Sequence, residues 1–159
     1  MAASVVDRLD IAEVKYRYAL GLDTRNWELY RSIFTDRVDV DFSSYDGGEP
    51  STMDADDWVG RAKVLFTGLD SSHHQMTNPM IEVDVDEAEL TMYLQAQHLL
   101  VHPDGDPLFT IGGYYRDRLV RTDEGWRLSA VRLVVLWTAG NRDLMRRAAA
   151  LGRERLVEL

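Results

Sequence analysis

Apolar positions recur three and four apart over the first third of the chain, alternate with polar positions through the middle, and return to helical spacing at the end. From Asp7 to Leu22, Ile11, Val14 or Lys15, Tyr18 and Leu22 mark one helix face, with Asp7 available to cap it. Trp27 to Phe34 continues as a short helix carrying Trp27, Tyr30, Ile33 and Phe34. Val38, Val40 and Phe42 then alternate with Asp39, Asp41 and Ser43, as in a half-buried strand. Gly47 to Ser51 has turn chemistry. Thr52 or Asp54 can cap a following helix whose apolar members include Trp58, Val59, Ala62, Leu65 and Phe66, and the helical period stops after Gly68.

Four strands are expected next, at about Ser72–Val85, Glu89–His102, Phe109–Arg121 and Trp126–Trp137. They are separated by Asp86-Glu87, by the segment from His102 through Pro103 to Pro107, and by Asp123-Glu124-Gly125, so an antiparallel meander is predicted. Asn141 to Leu156, rich in Arg, Ala and Leu, reads as a closing helix. Helices first and a long antiparallel sheet afterwards predict an α+β fold: a cone whose curved, mainly antiparallel sheet wraps the N-terminal helices and leaves a pocket at one end. With 159 residues and no repeat or linker, one domain over 1–159 is expected.

Charge narrows the partners. There are 27 acidic and 18 basic residues, a formal charge of −9, which disfavours nucleic acid and anionic membranes and favours a neutral or weakly charged small molecule. No cysteine is present, which excludes disulfides, thiolate metal sites and thiol nucleophiles. The N-terminus lacks a basic flank followed by an apolar core, and no run approaches the roughly 18 apolar residues that span a bilayer, so a cytoplasmic location is expected. Adjacent His73 and His74 cannot chelate one ion from opposite strand faces, and no phosphate cradle, dinucleotide fingerprint or Gly-x-Ser-x-Gly signature is present. The expectation is therefore chemistry without metal or cofactor.

Proton transfer remains. Asp23 sits where the first helix runs out and His74 opens a strand, and a carboxylate that orients a histidine makes imidazole a competent base near neutral pH. His98 shares a strand row with Met92, Leu94, Ala96 and Leu100, where it is either a satisfied core histidine or a second acid or donor to substrate. Arg132 shares a row with Trp126, Leu128, Ala130, Val134 and Leu136; it would pair with Asp23 or a substrate oxygen, or snorkel out.

Tyr18 through Trp27 ahead of Ile33-Phe34, the Val38–Phe42 strand, His74 with Thr77-Asn78, and Gly113-Tyr114-Tyr115-Arg116-Asp117-Arg118-Leu119 leading to Gly125-Trp126-Arg127-Leu128 carry a resemblance. Over essentially its whole length the chain is similar to the SnoaL-like branch of the nuclear transport factor 2 superfamily. In the positions quoted it most resembles scytalone dehydratase, lindane dehydrochlorinase and the bile-acid dehydratases. The resemblance implies that Asp23 and His74 form the catalytic pair, selects His74 over His73, and gives Tyr18 and His98 supporting catalytic roles. Phe42 stands where scytalone dehydratase has a strand tyrosine, and Thr110 and Gly112 stand near its serine and asparagine.

The reading is a cofactor-free lyase or isomerase acting as a dehydratase, cyclase or isomerase on a hydrophobic polyketide, steroid, terpenoid or aromatic substrate. Trp27, Phe42, Trp58, Phe66, Met76, Leu94, Leu136 and Trp137 are the expected pocket walls, with Arg132 as a further substrate contact. The alternative is a non-catalytic ligand-binding or assembly module. Apolar residues in both parities of the last strand predict that both sheet faces are covered, hence a homo-oligomer. The resemblance implies a homotrimer, with a dimer as alternative.

Overall fold

A computed structural model describes residues 4–102 and 104–158. Residues 1–3 of the expected N-terminal segment, Pro103 of the expected turn and Leu159 lie outside the described residues. The fold is α+β, and the described residues form five helices and a curved, open six-stranded sheet. In chain order these are α1 (Val5–Thr24), α2 (Trp27–Ser32), β1 (Phe34–Asp41), α3 (Ser43–Asp46), β2 (Ser51–Asp54), α4 (Ala55–Gly68), β3 (Ser71–Asp84), β4 (Glu87–Leu99), β5 (Leu108–Thr122), β6 (Gly125–Gly140) and α5 (Asp143–Val157). The sheet order is β2-β1-β6-β5-β4-β3, with β3 to β6 an antiparallel meander and β1 parallel to β6.

Helix α1 forms because Ile11, Lys15, Tyr18 and Leu22 recur on one buried face that lies against β3 and β6. Its cap is Ser4, whose hydroxyl accepts from the Asp7 amide; Asp7, the expected cap, sits in the first turn and accepts from Arg121 and from the Trp126 indole instead. Helix α2 stops at Ser32, two residues short of the expected Phe34. Pairing of Phe34 with Leu128 draws that residue into β1, where it is fully buried, so tertiary pairing overrides the local helical period.

Helix α4 begins beside Asp54, whose carboxylate makes no cap hydrogen bond and pairs with Arg37. Its far end meets α5 at unusually close range. A Cβ on Gly152 would stand 1.7 Å from the Val64 carbonyl oxygen, and one on Gly68 would stand 1.7 Å from that of Ala148. Only glycine at both positions allows this crossing, which brings Met145 of α5 to the cavity inside the cone. Among the described residues no helix is long and apolar enough to cross a membrane.

Candidate active site

The last turn of α1 and the first residues of β3 are locked together by Arg25. Its backbone adopts the left-handed conformation (φ 55°) and its N–H closes the helix on Gly21 and Leu22. Its guanidinium donates to the Asp23 carbonyl (2.9 Å), to Ser72 Oγ (3.1 Å) and to the Phe66 carbonyl at the end of α4 (3.0 Å). Asp23 is thereby fixed against β3. Its carboxylate accepts from the His74 amide (2.7 Å), from Ser72 Oγ (2.8 Å) and from His74 Nδ1 (2.6 Å).

A carboxylate can only accept, so His74 Nδ1 carries the proton and, in the neutral ring, Nε2 is the basic nitrogen. Burial works to raise the Asp23 pKa, but the hydrogen bonds from His74 and Ser72 outweigh it and the carboxyl lies below its ordinary value. Asp23 therefore stays an anion over the range in which imidazole changes charge.

His74 lines a largely apolar cavity of about 240 Å³ enclosed by α1, α2, α4, α5 and the inner sheet face. Of the residues expected there, Tyr18, Phe42, Trp58, Phe66, Leu94 and His98 share its wall with His74. Exposed Asp46 and Arg61 bring charge to its rim. The Trp58 indole nitrogen is buried beside the Tyr30 hydroxyl, in a contact that falls short of hydrogen-bond geometry, so this donor in the wall is poorly satisfied. Asp23 stands behind His74, bordering a shallow depression between α1 and β3 that Met76 also reaches.

Five expected contacts lie elsewhere. Trp27 packs edge-on against Tyr30 outside the cavity, and Met76 falls on the depression just described. Arg132, Leu136 and Trp137 are displaced by β-bulges in β6. Arg118 pairs with Ala130 but Leu119 with Leu128, so the alternation slips by one residue and Leu133 faces inward opposite Tyr115. Arg132 consequently emerges on the outer face and pairs with Asp41 (3.3 Å) rather than with Asp23. The same slip turns Leu136 outward, and a second one, where Gly113 pairs with Val135 but Gly112 with Trp137, turns Trp137 outward as well; the two line an outer groove with Tyr93 and Gln75. A larger open groove of about 500 Å³ also crosses the outer face, but its charges are matched locally, as in Arg118–Asp39, and no histidine reaches it.

His98 is 2 % exposed, edge-on to His74 with ring centres 5.7 Å apart. Its Nδ1 lies 3.2 Å from the Phe109 carbonyl oxygen, which can only accept, so Nδ1 is protonated and Nε2 is not. Burial, reinforced by the neighbouring His74, pushes its pKa down to about 4 from 6.5. A neutral His98 makes a poor acid and a sound acceptor. The depressed value also ties stability to pH: between pH 6.5 and about 4 the unfolded chain binds the extra proton, so stability falls as pH falls through that window. His98→Asn keeps a donor for Phe109 but cannot titrate. Chemical denaturation at pH 6.5 and pH 5 is expected to show the native chain losing about 1.5 kcal/mol more than this variant, the slope approaching about 1.4 kcal/mol per pH unit only below the unfolded value. Equal losses would mean that His98 does not titrate as described.

Sequence reasoning missed the floor beneath this cavity. Lys15 and Asp117 are fully buried, with Nζ 2.8 Å from Oδ2; the angle of that contact falls outside hydrogen-bond geometry. Nζ also stands 3.8 Å from the ring centre of Tyr18 and 3.4 Å from that of Tyr115. The two tyrosines line the cavity with their hydroxyl oxygens 3.4 Å apart, next to Tyr30. The signal existed: Lys15 interrupts the apolar face of α1, and Asp117 continues the row of Phe109, Ile111 and Tyr115. Among the described residues no group of three His, Asp or Glu side chains is placed to hold a metal ion.

Known proteins share this architecture. The crystal structure of the Kfla4162 protein from Kribbella flavida superimposes with a TM-score of 0.82 at 30% identity, covering 93% of this chain and 97% of the other. A hexachlorocyclohexane dehydrochlorinase, LinA-type3 from Novosphingobium barchaimii, has the same fold with a TM-score of 0.68 at 20% identity, covering 87% and 95% of the two chains. An uncharacterized protein of Mycobacterium tuberculosis, Rv2910c, is 24% identical over 126 residues, 79% of this chain and 83% of its own length. A family model of the SnoaL-like domain matches residues 3–132, and the chain belongs to that family.

Proposed function

We propose that the protein is a cofactor-free lyase or isomerase in which His74 removes a proton from carbon. The observation that carries this reading is the 2.6 Å bond between His74 Nδ1 and Asp23, made by a histidine whose ring lines an apolar cavity. Neutral His74 accepts the substrate proton at Nε2. Asp23, ionised throughout, holds the tautomer and stabilises the imidazolium. Tyr18 donates to the oxygen on which charge develops. The proton then returns to another carbon, giving isomerisation, or a leaving group departs, giving elimination.

The cavity favours a hydrophobic, mostly uncharged ring compound of modest size, with an acceptor oxygen within reach of the poorly satisfied Trp58 donor. Family membership and the shared fold with a dehydrochlorinase support a lyase-type activity. The test is a panel of aromatic and polycyclic hydroxy-ketones and enones incubated in D₂O and followed by NMR. Deuterium incorporation or elimination that disappears in His74→Ala supports the reading. Saturable binding of panel members with no exchange or turnover would turn it to the ligand-binding module.

We further propose that the outer sheet face is covered by other copies of the chain. Leu136 and Trp137 are 63% and 47% exposed there and Tyr93 is 49% exposed, a patch that one copy leaves open. Light scattering is expected to return a trimer, with a dimer as the alternative assembly, and a monomer at micromolar concentration would exclude both.

A further inference from the structure

Two charged groups sit inside this core with no part in the proton transfer just described. Burying a lysine and an aspartate costs several kcal/mol each unless their surroundings replace the lost water. Here the replacement is unusual. Asp117 accepts from the Arg132 amide (3.3 Å) and faces Lys15, while the ammonium is sandwiched against the π faces of two tyrosines.

We propose that Lys15 and Asp117 are positioning residues for an oxyanion site, in which Tyr18 and Tyr115 hold the carbonyl oxygen of a ketone or enone substrate. The ammonium on the ring faces draws electron density from both phenols and makes their O–H groups stronger donors, and hydroxyls 3.4 Å apart can converge on one oxygen. Asp117 keeps the ammonium against the rings. When His74 takes the proton on the carbon next to the carbonyl, the C–H electron pair becomes the C=C bond of an enolate. The C=O π pair moves to oxygen, where both tyrosines donate to it. The oxygen is not protonated, and the proton on His74 goes back to carbon or accompanies the leaving group. Burial, with the neighbouring tyrosines and the Asp117 carboxylate adding to it, pushes both phenols well above the ordinary tyrosine value, so they remain donors at working pH and the ammonium on their faces works against that carboxylate. Burial also pushes the Lys15 pKa down and that of Asp117 up, while the carboxylate opposite and the Arg132 amide favour the charged pair. For turnover the proposal rests on His74 as base; for its test it does not.

The probe is 4-nitrophenol, whose absorbance separates phenol from phenolate when bound. The native protein is expected to bind it with an ionisation midpoint below that of the free probe. In Lys15→Met/Asp117→Asn, which removes both charges while leaving an acceptor for the Arg132 amide, the bound phenolate-to-phenol ratio is expected to fall about tenfold at fixed pH, with affinity for the neutral phenol unchanged. Tyr115→Phe is expected to give a similar fall, and it supplies the reading if the double variant does not fold. Repeating the charge removal in a His74→Ala background is expected to give the same tenfold fall. An unchanged ratio in the folded variants, or a native protein that takes the probe only as neutral phenol or not at all, overturns the oxyanion site and leaves His74 as base standing. Loss of turnover chemistry from His74 with the Lys15 effect intact would do the reverse.

Discussion

Replacing His74 by alanine is expected to lower turnover by roughly 10²–10⁴-fold, the usual worth of a positioned general base, with the native far-ultraviolet spectrum retained. Truncation leaves the Asp23 carboxylate with two of its three donors, the His74 amide and Ser72 Oγ, so the junction of α1 and β3 survives. Asp23→Asn is expected to cost a similar factor by another route. Its side-chain oxygen can still accept a hydrogen bond from Nδ1, but the anion that stabilises the imidazolium is gone, and a flipped amide would face Nδ1 with a donor and force the wrong tautomer. Because hydrogen bonds hold Asp23 below the ordinary carboxylate value, it adds no ionisation of its own over the working range. Activity should rise with pH through a single ionisation. A profile flat from about pH 5 to pH 9, which brackets ordinary imidazole titration, would remove His74 from proton transfer and favour the binding module.

Periodicity alone located the larger elements, because long amphipathic segments leave a strong signal: α1, α4, α5 and the four strands of the meander lie within a few residues of their expected bounds. Hidden from it were features set by pairing between distant segments. The slip of β6 against β5 decides which parity faces the cavity, and neither Arg132 nor Leu136 carries a local mark of it. Strand β2 is four residues long and pairs only at an edge, too short for a period. Asp23 and His74 were legible because each sits at the end of a legible element. The Arg25 clamp was not, since a left-handed arginine closing a helix looks like any polar residue in a turn. Lys15 was visible on the helix face, but without a partner in view a lysine there reads as the boundary of the apolar stripe.

Lys15→Met is expected to be the most destabilising single change, at about 3–5 kcal/mol, because it strands a carboxylate in the core. For a chain of this size that corresponds to a drop in Tm of roughly 6–20 °C. Lys15→Met/Asp117→Asn is expected to recover most of the loss, since a neutral pair of similar volume has no charge to desolvate. The pH dependence distinguishes this cause from simple repacking. Burial already raises the Asp117 pKa in the native chain, and removing the ammonium raises it further. In the single variant the folded state therefore binds more protons than the unfolded state above the ordinary carboxylate value, so stability rises as pH falls and is lost as pH climbs through the raised value. The gap between native and Lys15→Met should accordingly narrow from pH 8 to pH 5, whereas the double variant should keep a nearly constant offset. A single variant as stable as the native chain at pH 8 would mean that the pair is buried uncharged, and with it would go the positive charge on the rings of Tyr18 and Tyr115.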